Sequence, residues 1–192
     1  MIKSTDIELL PKKVAIFPLT GAVLFPGTQL PLNIFEPRYV QMIDDALASP
    51  GRVIGMIQPS KPGEKTLKKV GCLGRISTFN EAEDNRYLIT LSGTIRFEVK
   101  EELNTTTPYR QIIPYYDTYE SDLKPQHVDS IDRSKLLALV KKYLEIRKIM
   151  ADWEIIKDTP TEQLINYSGI LVPFTAEEKQ LLLESKTIIT RS

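Results

Sequence analysis

Tyr87-Leu88-Ile89-Thr90-Leu91-Ser92-Gly93-Thr94-Ile95-Arg96-Phe97-Glu98-Val99-Lys100 holds two strand-like runs joined at a glycine. Beyond Gly93, Ile95, Phe97 and Val99 alternate with Arg96, Glu98 and Lys100, the period of a strand that buries one face and wets the other. A glycine between two such runs marks a bulge or a bend.

The neighbouring segments carry the same kind of signal. Val70 to Phe79 is a strand interrupted by Gly71 and Gly74, and Asp84-Asn85 supplies the turn that follows. Val53-Ile54-Gly55-Met56-Ile57, bounded by Gly51 and Pro59, has no period and suits a strand buried on both faces. Val14-Ala15-Ile16-Phe17 stops at Pro18, and Gly21, Pro26, Gly27 and Pro31 punctuate short edge or bulged strands. Tyr109 to Tyr116 adds a last strand. One helix interrupts the series: Pro37 suits a first helical position, Tyr39, Val40, Met42, Ile43, Ala46 and Leu47 recur at helical spacing, and Pro50-Gly51 ends it. With no helices between the other consecutive strands, residues 13 to 116 are expected to form an antiparallel, partly closed sheet.

Past about residue 120 the period changes from two to 3.6, which predicts a β-rich subdomain over 1–120 and a helical subdomain over 121–192 packed on it. Asp132 can cap a helix with the stripe Leu136, Leu137, Val140, Tyr143 and Leu144. Thr159-Pro160-Thr161-Glu162 and Thr175-Ala176-Glu177-Glu178 are capping-box patterns; the helices after them are expected to bury Leu164, Ile165 and Leu171, and Leu181, Leu182 and Leu183. Helices this short must pack on each other and on the sheet.

Composition narrows the function. The 192 residues are 42% apolar with formal net charge zero, and the balance is local: 14 Lys/Arg against 14 Asp/Glu over 1–120, and 11 against 11 over 121–192. Phosphate-based nucleic-acid binding requires a basic face, and only Lys61, Lys65, Lys68 and Lys69 cluster, in a segment expected to be a solvated loop. Met1 to Pro11 lacks the apolar run of a signal peptide or membrane span, and the single Cys72 fits a reducing compartment, so a cytoplasmic location is expected.

No catalytic constellation has usable spacing. His127, the only histidine, falls in a linker; Cys72 lies between Gly71 and Gly74 and suits a small buried residue; Gly71 and Gly74 are more simply strand glycines than a GxxG clamp. No P-loop occurs, and the carboxylate pairs Asp44-Asp45, Glu83-Asp84, Glu101-Glu102 and Glu177-Glu178 fall on turns, caps or polar faces. No cofactor and no metal are expected. What remains is Asn33-Ile34-Phe35-Glu36-Pro37-Arg38-Tyr39. Structurally, Glu36 caps, Arg38 pairs with a carboxylate, and Phe35 and Tyr39 pack inward. Functionally, Phe35, Glu36, Arg38 and Tyr39 are candidate partner-binding residues, since Arg and Tyr anchor interfaces.

Phe17-Pro18-Leu19, Leu24-Phe25-Pro26-Gly27 and Leu30 to Tyr39 resemble the start of the Lon N-terminal substrate-binding domain, in the form lacking ATPase and peptidase. The likeness continues in order through Val70 to Ile76, Tyr87 to Gly93 with Arg96-Phe97, and Pro173-Phe174-Thr175 with Glu178 to Leu182. The resemblance implies an α+β fold: a PUA-like, mostly antiparallel β pseudo-barrel with an inserted helix, followed by a C-terminal helical bundle. It also implies a non-enzymatic module that binds unfolded or extended protein segments, or a protease or chaperone partner, as an adaptor or regulator of proteolysis. An RNA-binding PUA-like protein and an enzyme with an unrecognised site are the alternatives.

Overall fold

The computed structural model describes residues 7–61, 63–83, 86–126 and 128–192. The expected turn at Asp84-Asn85 and the linker histidine His127 lie outside them. The strands are β1 (Val14–Pro18), β2 (Gln29–Ile34), β3 (Val53–Pro59), β4 (Leu67–Glu81), β5 (Tyr87–Leu103) and β6 (Gln111–Tyr115). Helix α1 (Pro37–Ala48) follows β2. A 3-10 stretch, Asp117–Leu123, precedes α2 (Arg133–Arg147), α3 (Trp153–Asp158), α4 (Thr161–Leu171), α5 (Ala176–Glu184) and α6 (Ile188–Arg191).

The two runs around Gly93 form one 17-residue strand, β5. It pairs with β4 along most of its length, with β2 through its first half and with β6 through its second. The register slips at Gly93, where the pairing steps from Gly74–Gly93 to Leu73–Ile95. The reason is a docked turn: Gly93 donates to the Thr28 carbonyl at 2.9 Å, and Gly27 donates to the Gly93 carbonyl at 3.0 Å. A Cβ at Gly93 would stand 2.0 Å from the Phe25 carbonyl oxygen, so no side chain fits there.

The expected pseudo-barrel is corrected. The strands form one six-stranded mixed sheet, in the order β2-β5-β4-β3-β1-β6, with an additional β5–β6 pairing. A barrel has no edge, whereas β2 pairs with β5 alone and keeps Pro31 on an edge strand, where a missing N–H costs no ladder bond. β1 runs parallel to β3, in the register Ile16–Gly55 to Pro18–Ile57. Parallel neighbours need a long crossover, and β2 with α1 supply it. Alternation reports which face a residue takes and is silent about strand direction, which is why the mixed sheet escaped the sequence.

The core joins Ile16, Leu24, Phe25, Ile34, Met42, Ile43, Ile54, Leu73, Leu91, Ile95 and Phe97, all essentially without exposure. Tyr39, Met42, Ile43 and Ala46 form the buried face of α1, as their spacing predicts. Of the two capping boxes only the second forms: Thr175 Oγ1 accepts from the Glu178 N–H at 3.2 Å while Glu178 accepts from the Thr175 N–H at 2.8 Å. Thr159 instead closes α3, donating its hydroxyl to the Ile155 carbonyl, and Pro160 occupies the cap position of α4. Leu171 and Leu181, expected inside, are exposed, and only Leu183 of the α5 trio is fully buried.

Candidate functional site

The β2–α1 corner holds the four candidate binding residues. The polypeptide turns there because Pro37 takes the first helical position after an extended Glu36. Glu36 is at the cap position but makes no side-chain cap; its carboxylate accepts from Arg38 Nε at 2.9 Å and lies 2.7 Å from Arg38 Nη2. The Arg38 guanidinium sits 4.6 Å over the Tyr39 ring, and Tyr39 meets Phe17 edge-on at 4.5 Å. Burial raises the Tyr39 phenol above its ordinary range. The corner thus divides: Tyr39 is a core residue, the Glu36–Arg38 pair is exposed, and Phe35 is 65% exposed where it was expected to pack inward. Phe35 is outside because Ile34, the residue before it, takes the buried face of β2.

Leu88 of the neighbouring strand β5 extends this surface. Asn33 pairs with Leu88, itself an exposed apolar residue, and alternation carries Phe35 toward the same face. On the other face of the sheet, Phe79, which pairs with Ile89, is also exposed and meets Tyr87 edge-on at 4.9 Å.

A second apolar surface lies on the α2–α3 arm, which sequence reasoning placed in a packed bundle. Asp132 caps α2 as expected, accepting from the Lys135 N–H at 3.0 Å. The stripe Leu136, Leu137, Val140, Tyr143 and Leu144 is only half-buried, and neither α2 nor α3 contains a fully buried residue. Leu139 (57% exposed) and Ile146 (68%) lie seven residues apart on one face, and Met150 (99%) and Ile155 (67%) follow at the far end. The arm is held at its base by Arg133, which donates to Thr161 Oγ1 and to the Thr159 carbonyl, both at 2.8 Å.

Two buried arginines hold the C-terminal helices in place, one to the sheet and one to each other and to the turn before β2. Alternation assigns Arg96 to the wet face of β5, yet it is 1% exposed. It grips Asp122 with Nε at 2.8 Å and Nη2 at 2.7 Å, donates to the Leu183 carbonyl at 3.0 Å, and lies 4.1 Å over the Tyr119 ring. Arg191 donates to Asn166 Oδ1 and, at 3.1 Å, to the Leu182 carbonyl; Asn166 in turn donates to the Pro26 carbonyl at 3.1 Å. Burial lowers the Arg191 pKa to about 10. The Phe97 side of β5 faces the core while the Arg96 side is covered by the 3-10 stretch and α5, elements more than twenty residues away, so no local pattern announced it.

Among the described residues no group of three or more His, Cys, Asp or Glu side chains could hold a metal ion. Cys72 is fully buried, and burial pushes its thiol pKa upward, away from the reactive thiolate. Within the lysine cluster, Lys69 pairs with Glu98 at 2.7 Å and Lys61 with Glu64 at 3.7 Å, which leaves little concentrated positive charge. No helix among the described residues is long and apolar enough to cross a membrane.

Residues 13–192 match the family model of the ATP-dependent protease La (LON) substrate-binding domain. A Lon protease of Flavobacterium johnsoniae is 26% identical across 92% of the chain, which spans only 22% of that relative's length. The crystal structure of a Lon N-terminal domain protein from Xanthomonas campestris superposes with a TM-score of 0.67 at 19% identity, covering 93% of this chain and 94% of that one. The N-terminal domain of a Mycobacterium avium complex Lon protease gives 0.67 at 18% identity, covering 94% of each chain. Likeness at those identities speaks for the fold.

Proposed function

Since the chain belongs to the LON substrate-binding domain family and corresponds to its non-catalytic N-terminal domain, we propose that it binds extended or unfolded polypeptide segments bearing apolar side chains. The observation that supports this most is the uncovered arm. Leu139, Ile146, Met150 and Ile155 are left on the surface of a helical projection that contributes no fully buried residue. Large exposed apolar patches on soluble domains mark interaction sites, and an unfolded segment offers the complementary surface without a fixed shape.

The β2–α1 corner is the second contact region in this reading: Phe35 touches the partner, the Glu36–Arg38 pair forms a polar rim, and Tyr39 supports them from the core. Residues 1–120 and 121–192 act as two subdomains, the second carrying the arm. The cellular role is that of an adaptor or regulator of proteolysis in the cytoplasm, with a protease or chaperone as a further partner.

The test is fluorescence anisotropy with a labelled, reduced and alkylated unfolded polypeptide. Replacing Leu139, Ile146 and Met150 together by Ser is expected to weaken binding by at least about tenfold while the melting temperature stays nearly constant, because exposed positions contribute little to stability. Phe35→Ala is expected to weaken it less. Unchanged affinity in both proteins overturns the proposal.

A further inference from the structure

Away from both surfaces, a cavity of about 630 Å³ opens between residues 9–13, the second half of α1 and the sheet. That size falls within the roughly 300–1,000 Å³ typical of small-ligand sites. Leu9, Leu10, Ala15 and Val53 give it apolar walls. Lys13 and Arg75 also line it, and neither has a carboxylate partner among the described residues. The carboxylate at the wall, Asp45, already accepts the Tyr109 hydroxyl at 2.5 Å. Gln111, 8% exposed, donates from Nε2 to Thr107 Oγ1 at 3.0 Å, which leaves its Oε1 acceptor without a partner among the described residues.

These groups define a ligand by complementarity. An unpaired guanidinium presents a planar fork that matches a carboxylate. A free amide acceptor calls for an N–H, and apolar walls call for an apolar body. We infer that the cavity binds an N-acylated apolar amino acid: its carboxylate on Arg75 with Lys13 nearby, its amide N–H on Gln111 Oε1, and its side chain against Leu9 and Val53. This chemistry occurs in free N-acyl amino acids and at the C-terminus of a polypeptide ending in an apolar residue. The site stands independently of polypeptide binding at the arm.

The experiment is an NMR titration of the full chain with N-acetylphenylalanine, its carboxamide, and a hexapeptide ending in Phe with a free or amidated C-terminus. The free acid is expected to shift amide signals at and around Leu73, Arg75 and Gln111, and the carboxamide to bind about tenfold more weakly, the cost of losing a charge-assisted hydrogen bond. Arg75→Gln is expected to weaken the acid by a similar factor. Gln111→Leu, an independent variant, should weaken it severalfold. Binding of the small acid alone assigns the site to free metabolites; equal or tighter binding of the free-ended hexapeptide assigns it to chain ends. No shifts at millimolar acid, equal binding of acid and carboxamide, or unaltered binding by both variants overturns the inference.

Discussion

The sheet and the α2–α3 arm use the same apolar residues with regular spacing, and they come to opposite ends. Ile54, Leu73, Leu91, Ile95 and Phe97 in the sheet have essentially no exposure, while the arm buries no residue fully. The middle of β5 is covered twice, by the core on its Phe97 side and by the 3-10 stretch and α5 on its Arg96 side. The arm is clamped at Arg133, and within it Trp153 of α3 meets α2, its ring centroid 5.7 Å from Lys141 Nζ. It also carries a buried Tyr143 hydroxyl with no hydrogen-bond partner among the described residues, an arrangement that costs stability. A periodic apolar stripe shows which side a helix would bury. Whether a neighbour arrives to cover it depends on the rest of the chain.

The sharpest way to break this contrast is Asp122→Ala. It leaves the Arg96 guanidinium buried without its counter-ion, and removing one partner of a buried pair costs about 3–5 kcal/mol; urea unfolding measures it. A loss below about 1 kcal/mol would show that the arginine clamp does not hold the helices to the sheet. Next in size is a matched pair. Ile95→Ala, at a fully buried position, is expected to cost about 2–5 kcal/mol, and Ile146→Ala on the arm no more than about 0.5 kcal/mol. Equal losses would mean that the arm is packed after all.

The smallest effect is a pH dependence at the sheet's edge. A hydrogen bond from Arg110 at 2.6 Å holds the Glu102 carboxyl below the usual carboxylate range. Its folded pKa is therefore lower than its unfolded one, near ~4.3. The stabilisation is present above that unfolded value and disappears as pH falls through the folded pKa. Glu102→Gln should accordingly lower the melting temperature slightly at neutral pH and bring the two proteins together under acid conditions. The pair is partly exposed, so the difference is small.

Local chemistry was legible wherever it was self-contained. The Thr175 box forms because both partners lie within four residues; the similar pattern at Thr159 fails because the preceding turn claims the Thr159 hydroxyl for the Ile155 carbonyl. At the β2–α1 corner, the Tyr39 position followed from the period of α1, and Arg38 did find a carboxylate. The fate of Phe35 did not follow, because it sits between a strand and a helix where neither period governs. The exposed row on the arm was missed for a different reason: an apolar residue at a helical position is ordinarily evidence of a neighbour, and here the neighbour is absent among the described residues.

The sequence by itself determined the periods, most of the turns and caps, the local charge balance and the family likeness, because each rests on interactions among residues close along the chain. Tertiary structure alone decided that the sheet is mixed with an open β2 edge, that Arg96 is buried on Asp122, and that the arm stands uncovered. Those outcomes depend on which distant segments meet. Burial is a property of both surfaces in a contact, and a one-dimensional pattern specifies only one of them.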